Sequence, residues 1–149
     1  MNFKEVFYQE LAQATDVFAV QNGVLRSLKR ITPKASYVVI PSEIVFSGSL
    51  DNRLIVATPL IRRFLPNVFS DLDVFSRDIQ IGFRQSDDSR KESMVNYRQM
   101  IITQGDLDTV FFLPGWSNRD EEMQAYFTAH SAGIMPFIFT DWQHQYLQL

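Results

Sequence analysis

The chain of 149 residues contains no cysteine, which excludes disulfides and thiolate catalysis. It has two histidines, His130 and His144, which argues against a metal centre built on imidazole. Basic residues are in deficit, with 14 Lys and Arg against 17 Asp and Glu, a net charge of −3. Phosphate backbones select a basic face, so this balance argues against nucleic acid as a generic partner. No apolar run approaches the roughly 20 residues that a membrane helix needs. The first ten residues, MNFKEVFYQE, lack the apolar core of a signal peptide. These absences lead to the expectation of a soluble cytoplasmic protein with no membrane partner, resident metal or cofactor.

What is present suits one globular domain. The hydrophobic fraction is 46%, and 13 phenylalanines, five tyrosines and two tryptophans supply the bulk of a sizeable core. Phe3, Val6, Phe7 and Leu11 recur at helical spacing, and a second helix is expected over residues 16–30. Its apolar side carries Val17, Val20, Val24, Leu25 and Leu28, and Gly23 weakens it by about 1 kcal/mol relative to alanine. Pro33 stops it, because the residue before proline is pushed out of the helical region. Three short strand candidates follow: SYVVI (36–40), EIVFSG (43–48) and RLIVATP (53–59), with SLDN as the turn between the last two.

From residue 53 strands and helices alternate. RLIVAT is a strand and LIRRFLPNVF (60–69) a short helix or irregular turn. DIQIGFR (78–84) is a strand. SRKESMVNYRQMIITQ (89–104) is a helix with Ser86, Asp87 or Asp88 as its N-cap and Gly105 past its end. TVFFLP (109–114) is a strand. EEMQAYFTAHSA (121–132) is a helix opened by an Asn118/Glu121 capping box and closed by Gly133, and IMPFIFT (134–140) is the last strand. Alternation implies parallel pairing. The apolar character of TVFFLP and IMPFIF suggests strands covered on both faces, with Pro136 implying that the last lies at an edge or begins late. The expected fold is therefore a three-layer, Rossmann-like α/β sandwich with a mostly parallel sheet, preceded by N-terminal helices and a short β-hairpin. A single domain results: an extension over 1–50, a core over 53–140 with TVFFLP mid-sheet, and an aromatic tail over 141–149.

Ligands of such sheets sit outside the carboxyl ends of the strands. LPGWSN occupies that position. Gly115 permits close backbone approach, Trp116 offers a flat face for stacking, and the following helix N-terminus presents free N–H groups to an anion. The same residues also read as a tight turn whose tryptophan plugs the sheet end. Asp108 suits either a ligand hydroxyl or a turn. Arg62 and Arg63 suit a phosphate or a solvated pair. His130 shares a helix face with Met123 and Phe127, where partial burial is expected.

The run from Asn96 to Phe139 resembles the nucleoside 2-deoxyribosyltransferase-like families, in particular a small branch common in bacteriophages. Tyr97, Arg98, Asp108, Leu113, Pro114, Gly115, Trp116 and Gly133 fall where that pattern expects them. The resemblance covers about a third of the chain. It implies a nucleoside or nucleotide ligand held by Arg98, Asp108, Gly115, Trp116, Ser117, Asn118 and Arg119. It also implies subunits that complete one another's sites, and a place in host cytoplasm or virion if the chain is phage-encoded. The departures bear on chemistry. The family's nucleophilic glutamate lies nine residues after the tryptophan, where this chain has Ala125. Its turn serine is replaced by Arg119, and ATPLIRR replaces its glycine-containing first-strand turn. Glu122, one turn earlier on roughly the same helical face, is the sole nearby substitute. The bland reading makes Glu121 and Glu122 first-turn carboxylates that favour the helix N-terminus.

Two classes of function follow. One is a nucleoside- or nucleotide-binding protein on a deoxyribosyltransferase-like fold, catalytically degenerate or using Glu122. The other is a structural or interaction protein using the fold as a platform. Phe3/Val6/Phe7 and Val17/Val24/Leu28 are the apolar stripes that a homo-oligomer would use.

Overall fold

The computed structural model describes residues 3–12, 14, 17–41, 67–71, 73, 87–113 and 115–138. Two helices come first, α1 (Phe3–Leu11) and α2 (Val17–Lys29). They cross closely at Gly23, where a Cβ would lie 3.0 Å from Leu11 Cδ2 and 3.1 Å from the Glu10 carbonyl oxygen. The glycine that lowers helix propensity is thus the residue that lets the pair pack. Glu10 of α1 accepts hydrogen bonds from Arg26 of α2 at 2.9 Å and from Arg30, just past its end, at 2.8 Å.

The sheet comprises β1 (Ser36–Val39), β2 (Val68–Ser70), β3 (Thr109–Phe112) and β4 (Met135–Ile138), ordered β2-β1-β3-β4. Every pairing is parallel, with Tyr37 opposite Phe69 and Val110, and Phe112 opposite Val39 and Ile138. Helix α3 (Asp87–Gln104) precedes β3, and α4 (Asp120–Ser131) joins β3 to β4. The strand order places β3 on the far side of β1 from β2. The gap between β1 and β3 is therefore the switch point at which open α/β sheets hold ligands. This is the expected Rossmann-like α/β sandwich with N-terminal helices, and TVFF lies between two neighbours.

Side chains of paired parallel residues share a face. Tyr37, Phe69, Val39, Val110 and Phe112 therefore line one side of the sheet. Phe7 of α1 meets Phe69 on that side, with ring centroids 5.9 Å apart, and Tyr126 of α4 meets Phe112 at 5.7 Å. Contacts run from α1 to α2, α2 to α3 and α3 to α4, so these helices form a continuous layer there. In α3 the buried positions are Met94, Tyr97, Arg98, Ile101 and Ile102. Their 3–4 spacing makes one stripe, in which Arg98 is the sole charge. In α4 the buried positions are Glu122, Ala125 and Ala129. The two alanines bring α4 against α3 more than against the sheet, and Ala132 is exposed.

Several sequence expectations change. The sheet begins at Ser36, inside the segment read as an extension, because SYVV pairs in parallel with both β2 and β3. Val68–Ser70 is a strand where a helix or turn was expected over 60–69. Of the apolar stripes read as oligomer contacts, Val6, Phe7, Val24 and Leu28 are buried in the chain itself. The capping box does not form. The N-cap of α4 is Arg119, with extended backbone and no capping side-chain hydrogen bond. The last strand is not covered on both faces, for Met135 is 69% and Phe137 40% exposed. His130 is exposed rather than partly buried. The strand candidates over 43–48, 53–59 and 78–84, the pair Arg62–Arg63 and the tail 141–149 lie outside the described residues. Among the described residues no helix is long and apolar enough to cross a membrane.

Candidate functional site

At the carboxyl ends of β1, β2 and β3 the chain buries a charged cluster. Asp71 follows β2 directly, Ile40 follows β1, Arg98 reaches in from the apolar stripe of α3, and Glu122 comes from the first turn of α4. Asp71, Arg98, Glu122 and the ring of Tyr37 are all fully buried. Burial of a charge is tolerated only with partners, and Asp71 has them. Its Oδ2 accepts from the Ile40 N–H at 2.8 Å and from Arg98 Nη2 at 2.7 Å. Its Oδ1 accepts from the Tyr37 hydroxyl and, at 3.4 Å, from Arg98 Nε. Arg98 Nη2 also donates to the Ile40 carbonyl at 2.7 Å. Four donors saturate the Asp71 carboxylate, so it has no lone pair to spare for a substrate. Its position ties β1, β2 and α3 into one unit.

Electrostatics fix the protonation states of two members. Burial of Arg98 works against its charge. Asp71 in contact, with Tyr37 and Glu122 behind it, outweighs that, and the guanidinium is held even more firmly protonated than usual. Burial removes Tyr37 from water and Asp71 adds a negative neighbour, so its hydroxyl titrates well above the usual tyrosine range. Tyr37 is therefore a neutral donor at every physiological pH.

One edge of the cluster differs. Arg98 Nη1 is buried and makes no hydrogen bond among the described residues. It faces Glu122 Oε1 at 4.0 Å, within ion-pair range but beyond a hydrogen bond. Glu122 is a first-turn carboxylate of α4, as the bland reading has it, and unlike its half-buried neighbour Glu121 it is fully buried. Ala125, three residues on, is also buried, so the position where the resemblance expects a nucleophile faces the interior with a methyl group.

The structure brings together only part of the expected site. Arg98 and Glu122 converge. Gly115 adopts the left-handed region (φ 93°), as a tight turn there requires, and opens a 3-10 turn over Trp116–Asn118. Trp116 is half-buried, stacked on Tyr126 with centroids 4.7 Å apart and tilted 56° against Phe112. One indole face is therefore already used. Ser117 and Asn118 are exposed and Arg119 is half-buried. Asp108 is separate. It sits at the amino end of β3, exposed, accepts from the Thr109 hydroxyl at 3.0 Å, and anchors the loop before β1 through its N–H to the Ala35 carbonyl. The length of the strand separates it from the cluster.

Sequence reasoning missed Asp71 and Tyr37. An acidic residue immediately after a buried strand was the available signal for Asp71, hidden because 60–69 read as a helix or turn. Tyr37 lay in a recognised strand, but one read as a hairpin outside the sheet. A groove of about 380 Å³ between α3 and α4, lined by Gln99, Thr103, Gln124, Phe127, Thr128 and Ser131, is separate. The Thr103 and Thr128 hydroxyls there donate back to the Gln99 and Gln124 carbonyls. No group of three metal-ligating acids or histidines occurs among the described residues. Compared with known proteins, the chain matches no family model, and neither a curated protein nor a solved structure matches it.

Proposed function

We propose that this protein binds a nucleoside or nucleotide at the carboxyl ends of β1, β2 and β3, and that it does not cleave N-glycosidic bonds efficiently. The observation carrying the reading is Arg98. A guanidinium fully buried at the switch point, with Nη1 turned from its Asp71 partner toward Glu122, is what a polar ligand site there requires. The PGW turn and the resemblance through it supply the ligand class. Weak catalysis follows from Ala125, because glycosyl transfer needs a carboxylate placed at the anomeric carbon. Glu122 lies a helical turn away, about 5 Å, and catalytic constellations tolerate about 0.5 Å.

The alternative, a rigid platform for other proteins, draws on two observations: the stacking of Trp116 on Tyr126 and the saturation of Asp71 within the fold. A thermal-shift screen against nucleosides, nucleotides and cyclic nucleotides separates the two. Ligand at a hundred times its dissociation constant stabilises the folded form by about 2.7 kcal/mol, and Arg98→Met abolishes that gain. No stabilisation by any member of the panel favours the platform. Base release from deoxynucleosides that disappears in Glu122→Gln overturns the catalytic half of the reading and makes Glu122 the nucleophile.

A further inference from the structure

We infer that the groove between α3 and α4 is a second binding site, separate from the buried cluster, and that it takes an uncharged carbohydrate seated on Phe127. The first observation is the absence of charge from both walls. The stretches 99–104 and 123–138, which supply the groove and its surroundings, contain no Asp, Glu, Lys or Arg, in a chain where 21% of residues are charged. On these walls a phosphate or carboxylate finds no cation, and an amine finds no carboxylate.

The second observation is what the lining offers instead. Phe127 is 56% exposed, its ring packed T-shaped against Tyr126 with centroids 5.7 Å apart. A lone exposed aromatic is common on protein surfaces. This one stands in a cleft of about 380 Å³ together with Gln99 and Gln124. Neither carboxamide makes a hydrogen bond among the described residues, so each keeps its N–H donors and its acceptor oxygen for a ligand. The Thr103 and Thr128 hydroxyls donate to the Gln99 and Gln124 carbonyls at 2.7 and 2.8 Å, which leaves their oxygens as acceptors. The groove so combines an aromatic ring with donors and acceptors on both walls.

A sugar ring matches both features. The C–H groups of its faces lie against an aromatic plane, and its rim hydroxyls both donate and accept. Peptides match less well. A docked helix needs apolar anchor pockets at helical spacing, whereas Phe127 and Ala132 are the apolar side chains that line this groove among the described residues. An added strand needs a free sheet edge, and both walls are helices. The volume lies at the small end of the roughly 300–1,000 Å³ of ligand sites and suits a mono- or disaccharide. An open cleft covers only part of such a ligand, so the expected affinity is millimolar.

Two-dimensional 1H–15N NMR of the full chain titrated with glucose, maltose, cellobiose, chitobiose and glucose 6-phosphate tests this. At least one neutral sugar should give saturable shifts at Gln99, Thr103, Gln124, Phe127 and Thr128, and in the Gln99 and Gln124 side-chain amide signals. Glucose 6-phosphate should bind no more tightly than glucose. Phe127→Ala, at an exposed position that the fold tolerates, should weaken binding at least about tenfold. Gln124→Ala should weaken it about threefold or more. No shift with any neutral sugar, saturable shifts confined to other residues, or undiminished binding by Phe127→Ala overturns the inference. So does tighter binding of glucose 6-phosphate than of glucose. Shifts at the groove that grow with protein concentration alone assign it to a second copy of the chain and overturn it as well.

Discussion

Replacing Arg98 by methionine tests whether the buried cluster holds the fold together. Methionine fills much of the same volume, so the loss is electrostatic rather than a cavity. Asp71 keeps the Ile40 N–H and the Tyr37 hydroxyl but loses the donors at 2.7 and 3.4 Å, and the Ile40 carbonyl loses its donor at 2.7 Å. Removing one partner of a fully buried pair leaves an uncompensated charge, at a cost of about 3–5 kcal/mol. A domain of this size has a total stability of about 5–15 kcal/mol, so about a fifth of it or more should vanish. Urea unfolding followed by tyrosine and tryptophan fluorescence reads this as a lower midpoint. Asp71→Asn removes the other charge. The double variant should be more stable than the sum of the single losses implies, with a coupling of about 1–3 kcal/mol. A loss below about 1 kcal/mol for Arg98→Met, or strict additivity of the two changes, would refute the reasoning, because it would mean that the charges are solvated or satisfied elsewhere.

Other outcomes follow from the same structure. Tyr37→Phe removes a buried donor from Asp71 and should cost about 1–3 kcal/mol in the same assay. Gly105→Ala puts a methyl group 2.5 Å from the Ile101 carbonyl oxygen and 2.8 Å from Leu28 Cδ1, so it should destabilise by about 1–3 kcal/mol through overpacking. Gly133→Ala meets nothing within 4 Å and should cost only the strain of a positive φ of 74°, about 1–2 kcal/mol. Hydrogen bonds from Arg26 and Arg30 hold the Glu10 carboxyl below its ordinary value of 4.5. A lowered folded pKa contributes stability above the unfolded value and loses it as pH falls through the folded one. Glu10→Gln should therefore be slightly less stable than wild type at neutral pH, with the difference closing below about pH 4. Ala125→Glu should gain no base-release activity without first losing about 3–5 kcal/mol of stability, since the methyl group it replaces is buried beside Glu122.

Strong periodic signals were legible in the sequence and weak ones were not. Helix α3 was legible between its N-cap candidates Ser86, Asp87 or Asp88 and Gly105, and α4 through its span from the acidic first turn to Gly133. Mid-sheet TVFF stood out because four apolar residues between Asp108 and the PGW turn have no helical period. Strand β2 did not stand out. Three residues of VFS after a proline carry too little pattern to reveal a strand, and without β2 the sheet order and Asp71 were both hidden. The N-terminal stripes were correctly apolar but ambiguous as to what covers them, since helical periodicity gives the buried face and not its partner. The candidate site divided along the same line. Arg98 and Glu122 were nameable through the resemblance, Arg98 as a position of its pattern and Glu122 as the carboxylate one turn before Ala125. Their convergence with Asp71 and Tyr37 is a property of strand order, which alternation alone leaves undetermined. Asp108 was misplaced for the reverse reason: adjacent in sequence to a site-bearing strand, it lies at the strand's other end.

The proposed ligand site is tested most directly by two-dimensional 1H–15N NMR of the folded protein titrated with thymidine. Expected are saturable shifts at Ile40, Asp71, Tyr97, Arg98 and the turn 115–122, with the indole N–H of Trp116 among them. The same titration of Arg98→Met should leave those resonances unmoved. Shifts confined to the groove between α3 and α4, or to Asp108 at the opposite end of β3, would contradict the assignment. So would a spectrum that thymidine does not perturb at all.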